Sequence, residues 1–211
     1  MVNTDFLKQF GIIPIDTATL TGSLNDYKSP KDKISTLEQS NFLIRLKRGL
    51  FVVSPKLFNQ PLSRELIANH LYGPSYVSFQ TALSYYKLIP ERVHVISSMT
   101  IKRSRSFSTQ LGNFEYIGIS KEYLTIGIRQ EIVNNEYAFL IASPEKALCD
   151  LIVQTAGLRL QSEKAIRIYL EEDMRIDLSV IERYNIDIIK ECISVSKKKR
   201  ELTLLYKLLK Q

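Results

Sequence analysis

Two short stretches near the amino terminus carry side chains suited to a polyanion. Lys31, Lys33, Thr36 and Gln39 share one amphipathic segment, and Lys47-Arg48-Gly49 interrupts a β-prone run from Phe42 to Val53. Lysine and arginine neutralise phosphates and release condensed counterions, while Thr and Gln can hydrogen-bond base edges. The pattern predicts contact with duplex DNA: a helix in the major groove, with Lys47 and Arg48 on the backbone. Read without a ligand, the same residues are solvated charges on a small helical unit. A third group, Lys102, Arg103 and Arg105, falls in a segment that reads as a strand from Thr100 to Phe107. There Arg103 and Arg105 would share one face and Lys102 the other. This is a candidate second nucleic-acid surface, or else an edge strand guarded by charge against aggregation. The block Lys197-Lys198-Lys199-Arg200 reads as a solvated helix start, with a nucleic-acid contact as the alternative.

Residues with catalytic potential are few. Ser143-Pro144-Glu145-Lys146 contains the acid and lysine of a nuclease, but its serine, proline and acid also form an ordinary helix start. Asp150, a turn later, is expected to pair with a nearby cation or with backbone. Gly22-Ser23 could open a nucleotidyltransferase signature. That chemistry needs two aspartates one residue apart, and Asp26 and Asp32 each stand alone. His70 and His94 lack a plausible Ser or Cys nucleophile and are not followed by Glu-x-x-His. Cys149 and Cys192 cannot make a four-ligand zinc site, and the eight glycines form no phosphate loop. No catalytic residue, metal or cofactor is expected. Tyr72, Tyr76, Tyr85 and Tyr86 read as an aromatic layer of core and rim.

The elements that must position the cations are legible in outline. Asp5–Phe10 is a short helix ending at Gly11, and Asp16 or Thr17 caps a second helix through about Leu24. Ser29-Pro30 opens a third, on which Ile34 and Leu37 share a buried face. The hairpin Leu43–Val53 follows, with Gly49 supplying positive φ. Three helices and a hairpin within about sixty residues is the order of a winged helix-turn-helix. Pro55 and Asn59-Gln60-Pro61 then mark a boundary, giving domains 1–60 and 61–211. In the second, helices are expected at Ser63–Leu71 and Phe79–Tyr86. Strands are expected at Arg92–Ser98, Thr100–Phe107, Gly112–Ile119 and Tyr137–Ala142. Helices follow from Ser143 to about Gln154, then at Ser162–Glu171, Leu178–Arg183, Ile186–Val195 and Lys197–Leu209. The fold class is therefore α+β: a winged helix-turn-helix, then a mixed α/β domain ending in a helical bundle.

Composition sets the outer limits. The 211 residues are 45% hydrophobic and 24% charged, which excludes a disordered or low-complexity chain. The formal charge of +7 favours a polyanionic partner. No apolar run approaches membrane-spanning length, and the start lacks a secretory signal pattern. A cytoplasmic protein without a membrane partner is expected.

Several segments then combine, in order, into a family resemblance. They are Leu71-Tyr72-Gly73-Pro74-Ser75-Tyr76-Val77-Ser78, Ala82-Leu83-Ser84-Tyr85-Tyr86, Leu88-Ile89-Pro90-Glu91-Arg92-Val93, Thr100–Phe107 and Ile141–Leu151. Together, from Leu71 to about Val153, they resemble the AbiEi antitoxins of type IV abortive-infection toxin–antitoxin systems. Lys87 stands where the family usually has glycine, and Ile15–Asn41 is less arginine-rich than the family's recognition region. The resemblance implies a winged-helix domain that binds double-stranded promoter DNA and represses its own operon. It also implies a carboxy-terminal antitoxin domain that counteracts a nucleotidyltransferase-like toxin, without requiring a tight complex. The residues leave two alternatives open: a metal-dependent defence nuclease using Glu115, Glu145 and Lys146, and a winged-helix transcription factor without a toxin.

Overall fold

Gly11, Asp16 and Pro30 punctuate the amino-terminal segment into short helical pieces. The computed structural model describes residues 4–180 and 183–210. A 3-10 helix, Asp5–Phe10, ends at Gly11, whose φ of 54° suits glycine. Strand β1 (Ile15–Asp16) leads into α1 (Thr17–Gly22), where Asp16 accepts the Thr19 N–H at 2.7 Å. Helix α2 (Pro30–Gln39) begins with proline in its first turn. The Ser29 hydroxyl does not cap it. Ser29 donates instead to the Asp32 carboxylate at 2.5 Å. Strands β2 (Leu43–Lys47) and β3 (Leu50–Val53) form the hairpin, and Gly49 turns it with φ of 83°. The sheet order is β1-β3-β2, all antiparallel, and the Thr17 N–H donates to the Gly49 carbonyl, drawing the tip onto α1.

The rest of the chain builds a six-stranded mixed sheet from β4 (Ser75–Val77), β5 (Val95–Thr100), β6 (Arg105–Thr109), β7 (Gly112–Gly118), β8 (Ile128–Val133) and β9 (Tyr137–Ala142). Its order is β6-β7-β5-β4-β9-β8. β5 runs parallel to β7 and β4 to β9, whereas the β6–β7 and β8–β9 pairs are antiparallel. Around it lie α3 (Arg64–Leu71), α4 (Phe79–Tyr85), α5 (Lys121–Leu124), α6 (Pro144–Gln154), α7 (Glu163–Ile168), α8 (Ile186–Val195) and α9 (Lys199–Leu209). Ser143 caps α6 with its hydroxyl, as the Ser-Pro-Glu start predicts, and Ser63, expected inside its helix, caps α3 in the same way. The chain is thus α+β. Of the helix expected over Leu178–Arg183, Leu178–Val180 forms a 3-10 turn, and residues 181–182 lie outside the described residues.

One expected strand is two elements. Thr100–Phe107 cannot be continuous, because β5 and β6 pair with opposite edges of β7. Residues 101–104 cross over the end of β7 between them. The crossing is close: a Cβ on Gly118 would sit 2.7 Å from the Lys102 carbonyl oxygen, and the Gly118 N–H binds Ser104 Oγ at 3.0 Å. Lys102 and Arg103 therefore lie on a loop, and the alternation of faces expected for them does not apply.

The two predicted domains each have a core, but β3 belongs to both. Phe51 and Val53 enter the smaller core with Leu7, Leu20 and Leu37. Leu50 and Val52, on the other face, enter the larger core, joined by Ile12 and Leu46. All four residues of β3 are buried for this reason. In the larger core, α6 is enclosed on every side, with Pro144 through Ile152 all buried.

Candidate nucleic-acid interface

On α2, Ile34 and Leu37 point into the core, leaving Lys31, Ser35, Thr36 and Gln39 exposed. Lys33 turns to the flank, where its ammonium lies 5.0 Å from the centre of the Tyr27 ring. Thr36 Oγ1 donates to the Asp32 carbonyl at 2.9 Å, so its hydroxyl keeps acceptor capacity for a base edge. Glu38 ties the helix to the hairpin, accepting two hydrogen bonds from the Arg45 guanidinium at 2.7 and 2.5 Å. Those bonds hold the Glu38 carboxyl below its ordinary pKa and raise that of Arg45.

The two cations of the hairpin tip part company. Arg48 is exposed, and among the described residues its guanidinium has no hydrogen bond or ion pair. Lys47 folds back toward the second unit and donates to the Leu71 carbonyl at 2.6 Å. Burial pushes its pKa down, and the neighbouring charges of Lys102 and Arg105 push it further. The structure thus brings Lys47 beside the candidate second surface, a proximity that sequence separation concealed.

Tyr72 organises this junction. The Lys102 ammonium lies 5.1 Å from its ring centre and the Arg105 guanidinium 5.9 Å, both in range of the ring quadrupole. The Tyr72 hydroxyl donates to the Arg103 carbonyl at 3.3 Å, and the Lys102 ammonium donates to the Gly73 carbonyl. Phe107 and Tyr116 pack on Tyr72 at 5.6 and 5.2 Å between ring centres. Arg105 also lies 4.8 Å from the Phe107 ring. Among the described residues no carboxylate forms an ion pair with Lys47, Lys102, Arg103 or Arg105. Cations crowded together without counter-charge are relieved by an incoming anion, and at Lys47 that crowding adds to burial in lowering the pKa. In the sequence Tyr72 reads as part of an aromatic layer. Its Leu-Tyr-Gly-Pro setting gave no local sign that cations would converge on it.

The acid and lysine of the Ser143-Pro144-Glu145-Lys146 motif are structural. Lys146 and Asp150, one turn apart on α6, form an ion pair at 2.9 Å with both side chains fully buried. Asp150 also accepts hydrogen bonds from Ser78 at 2.6 Å and Tyr76 at 3.0 Å. Lys146 donates to the Tyr123 carbonyl at 3.1 Å and lies 3.2 Å from the Tyr123 ring centre. Ser78 immediately precedes α4 but does not cap it, because its hydroxyl is engaged with Asp150. Glu145 is 2% exposed and accepts the Asn185 N–H at 2.7 Å. Glu115 stands apart on the exposed side of β7. Among the described residues no three His, Cys, Asp or Glu side chains group closely enough to hold a metal. Cys149 and Cys192 are buried free thiols. No family profile and no curated protein matches the chain.

Proposed function

We propose that this protein is a promoter-binding autorepressor and the antitoxin of a type IV toxin–antitoxin operon, with its amino-terminal unit acting as a winged helix-turn-helix. The carrying observation is the junction where Lys47, Lys102 and Arg105 gather, with no carboxylate ion-paired to them among the described residues. The element order helix–strand–helix–helix–hairpin and the sheet order β1-β3-β2 support the same reading. So does the ordered resemblance of Leu71 to Val153 to the AbiEi antitoxins.

In this reading α2 lies in the major groove, with Gln39, Thr36 and Lys31 toward the bases and their flanking phosphates. Arg48 and the junction cations hold the backbone alongside. Each phosphate neutralised adds about 0.9 to the magnitude of the salt slope. Lys33, stacked at the flank over Tyr27, serves the backbone rather than the bases. The nucleotidyltransferase-like toxin is a functional partner, countered by the carboxy-terminal domain.

The test is a footprint on the DNA upstream of the protein's own gene, with co-expression of the adjacent reading frame. Protection of repeated sequence and rescue of growth are expected. Failure to protect any segment above non-specific competitor would overturn promoter binding. Rescue that fails while protection stands would leave a transcription factor that is not an antitoxin.

A further inference from the structure

A groove of about 650 Å³ opens beside the junction, between the crossing loop after β5, the end of β7, the last turn of α6 and the α8–α9 connection. That volume lies within the ordinary range for small-molecule sites. Its floor is aliphatic. Ile101 and Val195 contribute large apolar side chains that are 44% and 40% exposed, with Ile119 and Val153 beside them. Its charge is of one sign, because no acidic residue is among the described residues that line it.

The cations divide by availability. Lys198 is engaged, donating to the carbonyls of Ile152 and Thr155 at the end of α6. Lys102 is partly engaged with Gly73. Arg103, on the crossing loop, and Lys197, in the α8–α9 connection, are exposed, and among the described residues neither side chain has a hydrogen bond or ion pair. Ser120 and Gln154 add uncharged donors and acceptors to the wall.

We propose that this groove binds a free nucleoside phosphate. The aliphatic floor suits a planar base, Gln154 and Ser120 suit its polar edge, and Arg103 and Lys197 suit its phosphate. A bare phosphate would leave the apolar floor in water. An anionic lipid tail would bury Gln154 and Ser120 without a partner. The proposal does not rest on promoter binding, since the ligand contains no duplex.

The test uses the full chain and fluorescence anisotropy of mant-labelled AMP and ATP. Saturable binding is expected, with mant-adenosine at least about ten-fold weaker for want of phosphate. Arg103→Glu with Lys197→Glu should lower nucleotide affinity by about ten-fold or more. Val195→Trp, which fills the groove, should abolish binding, and Lys164→Glu on α7 should leave it unchanged. Thermal melts of each variant establish that it folds. Absence of saturable binding by the wild-type chain would overturn the proposal, as would equal losses in Lys164→Glu. Binding of a labelled oligothymidylate through Arg103 and Lys197, with no binding of the mononucleotides, would also overturn it and assign the groove to an unpaired strand.

Discussion

The ammonium of Lys47 meets the carbonyl of Leu71, 2.6 Å away, so a residue of the hairpin seals the carboxy-terminal end of α3. The last carbonyls of a helix lack intrahelical partners and carry its negative pole, which makes a cation favourable there. Lys102 serves the Gly73 carbonyl two residues on. The end of α3 therefore fixes one cation from each of the two units, and their closeness is a property of the packed structure.

Arg48 and Lys47 should contribute differently. Arg48→Ala should lower the magnitude of the salt slope for promoter binding by about 1, the loss of one phosphate contact. Lys47→Ala should weaken binding and also reduce stability, by about 1 kcal/mol for the lost hydrogen bond. Affinity and slope measured at several salt concentrations check the pair. If the double variant matches the wild type at every concentration, the hairpin does not touch the backbone.

On α2, Gln39→Ala should relax preference at one base pair, removing about 1–3 kcal/mol of discrimination. Lys31→Ala should weaken all sequences alike. Competition with singly substituted operator fragments distinguishes these outcomes. An unaltered sequence preference in Gln39→Ala would place another element in the groove.

The buried pair of α6 should behave as a unit. Asp150→Ala leaves the Lys146 charge uncompensated and should cost about 3–5 kcal/mol in urea unfolding. Lys146→Met combined with Asp150→Leu should cost less than the sum of the two single changes. Strict additivity would show that the ion pair is not coupled.

Removing residues 1–60 should abolish promoter binding. It also uncovers the surface on which Ile12, Leu46, Leu50 and Val52 pack, so the remaining chain should bind an apolar-sensing dye and melt lower than the full chain. A truncated chain with full stability and no dye binding would show that the shared face contributes nothing.

Acid should loosen α2 from the hairpin. Glu38 sits below its ordinary pKa of 4.5 in the folded chain, so the stabilisation it brings is complete above about that pH and is lost as pH falls through the folded value. Both partners are substantially solvated, which limits the effect to about 1 kcal/mol or less. Glu38→Gln should flatten this part of the acid unfolding curve, and an identical curve would refute the assignment.

Elements announced by local chemistry were legible in the sequence. Asp16 and Ser143 each precede a helix and cap it, and Gly49 turns the hairpin. Tyr137–Ala142 is apolar enough to read as an inner strand, and it is β9. What depended on distant partners was not legible. Ser75–Val77 is too short to announce β4, which takes its identity from β5 and β9 on either side. Ile128–Val133 alternates weakly as an edge strand, and β8 was missed. The break after Thr100 follows from the crossing over β7. The cations of the candidate interface were all named from sequence, but their grouping required the fold that sets Lys47 against α3.

The enclosure of α6 has a consequence for how the protein opens. Its amides from Ala147 to Ile152 are shut away with the Lys146–Asp150 pair at their centre, and no fraying of a surface loop reaches them. Deuterium should enter this helix only when the whole molecule unfolds, so its slowest protons report the global free energy while those of α2 exchange early.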